Sequence, residues 1–491
     1  MNIADYPVAR RLLEDIWQGL GGGAQWLGRV QFSGDRALRS PFAVTDLAAA
    51  SFASAGLALS ELVATSGVSA PEVRVDRTLA SGWFHLPAGP SQLVKGPPVA
   101  GHSHAWMGEY QAADGRWIRL QASFPTLRAR VARVLETAED PVAFAAVISR
   151  FGADEIEQAL VDGGAAVAAS RSTEEWLAHP QGMAVGAEPV VARQVGGRSG
   201  ASWEPTAGRP LAGIRVIDMT RVVSGPMATR FLAACGAEVL RLEAPGSDES
   251  IGVLGRGSDI NLGKRWAFLD IRTSEGREQF KRLLADADIF VHGYRPGALE
   301  ALGIGEDVRR AVCPGIIEVA LNAYGWTGPW KHRRGFDTLV QFSTGLASDT
   351  TAWALADPRR RVPINALGRL VDASRPRHLP VEALDFATGY QVAAAAIKGL
   401  TRRLVSGEGS VSKLSLARTA AMLIDVGQVT EEPAIELPLD RPYGKQIYSS
   451  GIGPVRHLHF PVTIEGNPLF WERPFEIAGA SMPIWSTIRP A

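Results

Sequence analysis

Cysteine is almost absent: Cys235 and Cys313 are the only two in 491 residues, and they form no CxxC spacing. That excludes a disulfide framework and a cysteine-built zinc site, and makes a reducing cytoplasm the expected compartment. An excess of charge of either sign is also missing, since 51 Lys+Arg balance 51 Asp+Glu. A binder held on nucleic acid mainly by phosphate contacts would need more. Long apolar runs are scarce: no stretch reaches the roughly 20 residues that span a bilayer. The N-terminus, MNIADYPVARRLLEDIW, mixes acid and base without the apolar centre of a signal peptide. The expectation is a soluble cytoplasmic protein with no membrane or nucleic-acid partner. What is present is ordinary for globular domains, 46% apolar and 21% charged residues, and the length allows two or three domains.

The stretch QVGGRSGASWEPTAGRP, residues 194–210, is rich in Gly, Ser and Pro, lacks periodicity and reads as a linker. Beyond it, strand-like and helix-like segments alternate. IRVIDMT reads as a buried strand and RVVSG as a loop. PMATRFLAACG reads as a helix, with Pro226 in its first turn and Gly236 past its end. AEVLRLEAP, RWAFLDI, DIFVHGY and PGIIEVALNAYG read as further strands, with the helix SEGREQFKRLLADA between two of them. That alternation predicts a mostly parallel sheet covered on both faces. Ahead of the linker the pattern is α+β. An Ala-rich helix over 44–65 is followed by a hairpin turning at Asp114-Gly115, then by three amphipathic helices within FPTLRARVARVLETA, ADEIEQALVDGG and STEEWLAHP.

Residues 44–81 and 383–421 resemble each other, each reading as helix, tight turn, short strand and helix. Asp46 falls on Asp385, and Arg77-Thr78 on Arg418-Thr419. An internal duplication is expected.

LAGIRVIDMTRVVSGPMATRFLAACGAEVLRLEAPGSDE resembles the opening segment of the class III coenzyme A transferases, a family that includes the α-methylacyl-CoA racemases. NLGKRWAFLDIRTSEG, DIFVHGYRPGALEALGIG, EVALNAYGWTGPWKHRRGFDTLVQFSTG and the Asp385 segment follow in family order, over about 211–425. The module order departs from the family. The small-domain-like stretch lies at 100–185, ahead of the sheet domain, and a segment like the family's return follows 425 almost directly. The resemblance implies an α/β fold, with a Rossmann-like parallel sheet domain, a smaller α+β domain and long linker helices. The expected domains are 1–95, a helical partial repeat of the linker segment; 96–195, a small α+β domain; 211–425, the CoA-binding domain with the catalytic-Asp segment; and 426–491, the return segment. Residues 1–200 are expected to supply the missing module, in cis or from a partner. An interlocked homodimer is implied by resemblance.

The family's reaction moves CoA from a thioester to a free carboxylate. The implied nucleophile is Asp385, at a helix start where an aspartate accepts backbone N–H bonds and stays ionised. Acyl-CoA and a carboxylic acid are the implied partners, CoA is a substrate, and no resident cofactor or metal is expected. The loop Arg221-Val222-Val223-Ser224-Gly225 precedes a helix whose free N–H groups suit a thioester oxygen or a phosphate. Lys264, Arg265, Tyr294, Arg295 and Arg334 fall on CoA-contacting segments of the family, where cations suit phosphates and the ring suits adenine. Val223 stands where some transferases carry Gln, which argues against formyl-CoA/oxalate specificity. Phe336 stands where the racemases carry a proton-moving His; Asp337 after it lines the pocket or binds a backbone amide. Val223, Phe336 and Trp326 hint at an apolar acyl group. Asp46 reads as a cap or relic, His102 and His104 as loop histidines, and the Arg/Pro-rich stretch 348–380 as a basic lid or a surface insertion. Two rival expectations stand beside CoA transfer: a non-catalytic CoA-binding or assembly protein, and a CoA-thioester isomerase or racemase.

Overall fold

The computed structural model describes residues 5–85, 91–93, 106–200, 203–248, 259–360, 375–429, 432–437, 439, 443–445, 447–448 and 453–486. His102, His104 and much of the 348–380 stretch lie outside them.

The chain opens with α1 (Pro7–Gly19), β1 (Val30–Ser33), α2 (Val44–Ala64), β2 (Val73–Asp76) and α3 (Arg77–Trp83). β3 (Ser91–Leu93) follows. An α+β unit then begins with the hairpin β4 (Met107–Gln111) and β5 (Trp117–Gln121), which turns at Gly115 with φ +83°. It continues with α4 (Pro125–Val134), α5 (Pro141–Ile148), α6 (Ala153–Asp162), β6 (Val167–Ala169), α7 (Thr173–Ala178) and α8 (Pro180–Ala187). β4, β5 and β6 form an antiparallel sheet with its own core around Ile118, Leu120, Val131, Phe144 and Leu160.

The remaining elements are β7 (Ala192–Arg198), β8 (Arg215–Met219), α9 (Ser224–Ala234), β9 (Glu238–Glu243), β10 (Lys264–Phe268), α10 (Ser274–Ala285), β11 (Ile289–His292), α11 (Ala298–Ala301), α12 (Glu306–Val312), β12 (Ile317–Asn322), α13 (Asp337–Ser343), α14 (Leu346–Ala356), α15 (Ala383–Ser406), β13 (Glu408–Ser415), α16 (Leu416–Val426), β14 (Val455–His457) and β15 (Val462–Ile464). β7 through β13 make one sheet in the order β10-β9-β8-β11-β12-β13-β7, parallel except for β7. The α/β expectation therefore holds. The parallel strands run 3-2-1-4-5-6, and their direction of winding reverses between β8 and β11.

Two expectations need correction. The segment expected as a linker from 194 is strand as far as Arg198, pairing antiparallel with β13. Its glycines permit close approach, since a Cβ on Gly196 would lie 2.8 Å from the Gly409 carbonyl carbon. An edge strand with mostly solvent-facing side chains needs only its backbone ladder, so no apolar alternation announces it. Second, α2 is by length and composition apolar enough to cross a membrane, yet 89% of its most apolar window is buried within the fold. It is a core helix.

α2 packs on α15. The Phe52 and Tyr390 rings lie 3.8 Å apart between centroids, while Phe84, at the end of α3, stacks on Phe386 of α15 at 5.2 Å. Farther along, Glu61 pairs with Lys398. The contacts advance together along both helices, so the helices run parallel and their starts, at Asp46 and Asp385, lie at the same end. Each then leads into a strand and a helix: α2–β2–α3 in the first copy, α15–β13–α16 in the second. β2 belongs only to a three-stranded sheet, β1-β2-β15.

Candidate active site

In a parallel sheet, ligands bind beyond the carboxyl ends of the strands where the winding reverses. Here that crevice is bounded by the loops after β8 and β11. The first carries Arg221 to Ser224 and the second Tyr294 and Arg295. Arg221 stands close enough to Tyr294 for its charge to offset part of the rise that burial causes in the phenol pKa.

The loop after β8 is strained. Val222 has φ +67°, a conformation a β-branched residue adopts only at a cost of about 1–3 kcal/mol. The turn brings Val223 into the core at 2% exposure and starts α9 at Ser224. Beneath it sits a buried network. Asp218 accepts from the Thr220 and Thr229 hydroxyls, both at 2.5 Å, and from Lys264 Nζ at 2.9 Å. Lys264 also donates to the Pro226 carbonyl at 2.7 Å. Ser224 Oγ, by contrast, is buried without a hydrogen-bond partner among the described residues. Native proteins rarely leave such a group unmade, so a water or a bound molecule is expected to meet it.

α15 brings Asp385 to this loop. A Cβ on Gly389 would lie 2.4 Å from the Ser224 carbonyl oxygen, so only glycine lets α15 sit on the first turn of α9. Asp385 is four residues earlier on the same helix face, and helical side chains lean toward the N-terminus. Asp385 therefore lies one helical turn before the contact with the first turn of α9.

The environment of Asp385 differs from the expected cap. Its side chain caps nothing; instead its own backbone N–H donates to Asp337 Oδ2 at 2.9 Å, and that of Leu384 does so at 2.8 Å. Asp337, at the start of α13, also accepts from Gln341 Nε2. Gln341 Oε1 in turn accepts from the Leu379 N–H at 2.8 Å. Asp337 thus serves as the cap of α15, one of the two roles its sequence context offered. Burial pushes its pKa to about 6. Burial, then Asp337 and Glu382, hold Asp385 well above the usual carboxylate range. The expectation of a carboxylate kept ionised by backbone donors is corrected accordingly. Among the described residues, no Arg or Lys pairs with Asp385. A buried carboxylate without counter-charge is a strong nucleophile once ionised.

Asp46, its counterpart, is spent. It pairs with Arg77 at 2.8 Å, and Arg77 also grips Glu432 bidentately at 2.9 and 3.1 Å. A cavity of about 250 Å³ opens beside Asp46, between Arg39, Thr45, Trp353, Arg360 and Glu432. Its volume carries less weight than chemistry: the aspartate on its wall is already neutralised.

The expected CoA-contacting residues separate into two groups. Arg221, Val223, Ser224, Tyr294, Arg295 and Arg334 gather at the crevice. Arg334 is half-buried and has no hydrogen-bond or ion-pair partner among the described residues. Burial, then Arg295, Arg130 and Arg221, pull its pKa down to about 10. Arg295 donates to the His332 carbonyl at 2.9 Å. Lys264 and Arg265, however, begin β10, and their charges are turned elsewhere. Lys264 is bound to Asp218 and Pro226, and burial pulls its pKa to about 8. Arg265 bonds Glu238 at 3.1 Å and the Ile484 carbonyl at 2.5 Å, holding the C-terminal segment to the sheet edge. Their expected contact with CoA does not fit this geometry: Lys264 braces the loop and Arg265 anchors the tail. Phe336 packs on Phe124, with centroids 6.0 Å apart. Trp326 Nε1 donates to the Leu414 carbonyl at 2.9 Å, so that ring is committed to β13.

Residues 211–448 match the family model described as CoA-transferase family III. Over 225 residues the chain is 30% identical to a probable fatty acyl-CoA transferase of Mycobacterium tuberculosis, covering 44% of this chain and 52% of the relative. Over 210 residues it is 31% identical to the succinyl-CoA:glutarate CoA-transferase of Homo sapiens, covering 41% and 44%. Over 144 residues it is 39% identical to an acetyl-coenzyme A transferase of Hypoxylon pulicicidum, covering 28% and 24%. The chain thus spans about half or less of the length of these relatives.

Proposed function

We propose, on the premise that residues 211–448 belong to CoA-transferase family III, that this protein is an acyl-CoA:carboxylate CoA-transferase with Asp385 as its nucleophile. The observation that carries this reading is the placement of Asp385. It is buried, has no cationic partner among the described residues, and lies one turn before Gly389, which packs on the Ser224 carbonyl beside the strained loop at the reversal point of the sheet.

In the first step an Asp385 carboxylate oxygen attacks the acyl-CoA carbonyl carbon. The C–S bond breaks, giving an acyl–aspartyl anhydride and CoA thiolate. The thiolate attacks the aspartyl carbonyl carbon, the anhydride C–O bond breaks and the donor acid leaves as its carboxylate. The acceptor carboxylate then attacks the aspartyl-CoA thioester and expels thiolate. Thiolate attack on the acceptor's acyl carbon releases the new thioester and restores Asp385. No net proton, electron or phosphate is consumed. The Ser224 hydroxyl and the free N–H groups at the start of α9 would stabilise the oxyanion formed at each attack. Val223 offers that oxyanion no side-chain donor. The apolar contact between Phe336 and Phe124 supplies no group able to shuttle an α-proton, which weighs against racemisation.

The test is exchange of labelled CoA between acyl-CoAs and a panel of carboxylic acids. Exchange lost in Asp385→Ala supports the transferase. CoA binding without exchange for any pair would favour a binding protein, and deuterium entering the α-carbon would favour an isomerase or racemase. A cytoplasmic homodimer accompanies the proposal and is tested by fractionation and by mass in solution.

A further inference from the structure

The α+β unit precedes the sheet domain in the chain, yet one of its helices lies over the crevice. Phe124, just before α4, stacks on Phe336. Leu127 is buried with Leu339 and Phe342 of α13. The Thr126 hydroxyl bonds Asp248, in the loop after β9. In the same unit, Glu109 of β4 bonds the His378 ring at 3.2 Å on the approach to Asp385. α4 is thus fastened to loops from several elements of the sheet domain.

Arg130 follows Leu127 by three residues and shares its face. Its Nη1 donates to the Gly164 carbonyl at 3.0 Å. A Cβ on Gly164 would lie 3.6 Å from Nη1 of both Arg130 and Arg334, so the two guanidinium groups are near neighbours. The other arginines of α4 are engaged elsewhere. Arg128 bonds Glu139 at 2.7 Å and Arg133 bonds the Gly163 carbonyl at 2.8 Å. Neither Arg130 nor Arg334 has a carboxylate partner among the described residues. Half-buried guanidinium groups held together without an acid repel one another, and an anion between them relieves the repulsion. Their planar forks suit phosphate oxygens.

We propose that Arg130 is a phosphate-binding residue for coenzyme A, acting with Arg334, and that the α+β unit thereby completes the crevice within the same chain. The proposal rests on the CoA-transferase reading above.

The test measures binding of CoA and of pantetheine, which lacks the phosphates and nucleotide, to the full-length protein. Wild type, Arg130→Gln, Arg130→Lys and Arg334→Gln are compared at two salt concentrations. Arg130→Gln is expected to weaken CoA by roughly tenfold, as loss of one charge-assisted contact would, and to make binding less salt-sensitive. Pantetheine should bind unchanged, and Arg130→Lys should recover part of the loss. CoA binding that falls in Arg334→Gln but not in Arg130→Gln would overturn this inference and leave the transferase reading standing. Equal loss of CoA and pantetheine would also overturn it. Wild type that binds no CoA would overturn both.

Discussion

Asp337→Asn tests the buried carboxyl pair. Asp337 is 3% exposed, and burial lifts its pKa from about 3.8 to about 6. A raised carboxyl pKa means that the fold favours the protonated form. The stability this confers is present below the unfolded pKa and is lost as pH rises through the folded one. The full cost above pH 6 is roughly 3 kcal/mol, at about 1.4 kcal/mol per pKa unit. Asparagine keeps an acceptor for the Leu384 and Asp385 N–H groups but cannot ionise. It also mispairs with Gln341, a loss of about 1 kcal/mol that does not depend on pH. The stability difference between wild type and variant, from urea titrations, should therefore move by about 2 kcal/mol in favour of the variant between roughly pH 4.5 and 7.5. Removing Asp337 also removes a charge that raises Asp385, so the acidic limb of the exchange rate should shift to lower pH. A difference that is flat with pH, or that favours wild type as pH rises, would refute the reasoning.

Other substitutions probe the rest of the site. Ser224→Ala removes a hydroxyl that has no partner, so melting should be unchanged or slightly raised, while exchange falls by roughly ten- to a thousandfold if the hydroxyl serves the oxyanion. Gly389→Ala places a methyl 2.4 Å from the Ser224 carbonyl oxygen and should cost about 1–3 kcal/mol with loss of exchange, read by denaturation and by the CoA assay. Arg77→Met leaves Asp46 buried without its cation and should destabilise the protein by about 3–5 kcal/mol in urea unfolding.

The parallel sheet was legible because its strands are continuous apolar runs spaced by helices, and Asp385 stood out through its motif. The rest depends on long-range geometry. Lys264 and Arg265 read as CoA contacts because Asp218 and Glu238, the partners that engage them, lie 46 and 27 residues away. β7 is an edge strand held by its backbone, so its glycines read as linker. Arg130 is one of several arginines on an amphipathic helix, and only its position beside Gly164 and Arg334 separates it from Arg128 and Arg133. Asp337 was marked by the residue before it, but its clamp on the start of α15 needed the fold. Asp46 and Asp385 occupy equivalent places in the repeat; what distinguishes them is Arg77, which pairs with Asp46 across the first copy, whereas Arg418 donates to the Glu188 carbonyl at 2.8 Å.

The most direct measurement is the mass of the intact protein after incubation with a panel of acyl-CoAs and trapping with hydroxylamine or borohydride. A single modification on Asp385 is expected, present in wild type and in Asp46→Ala and absent in Asp385→Ala. No modification with any donor despite measurable CoA binding, or a modification that persists in Asp385→Ala, would contradict it.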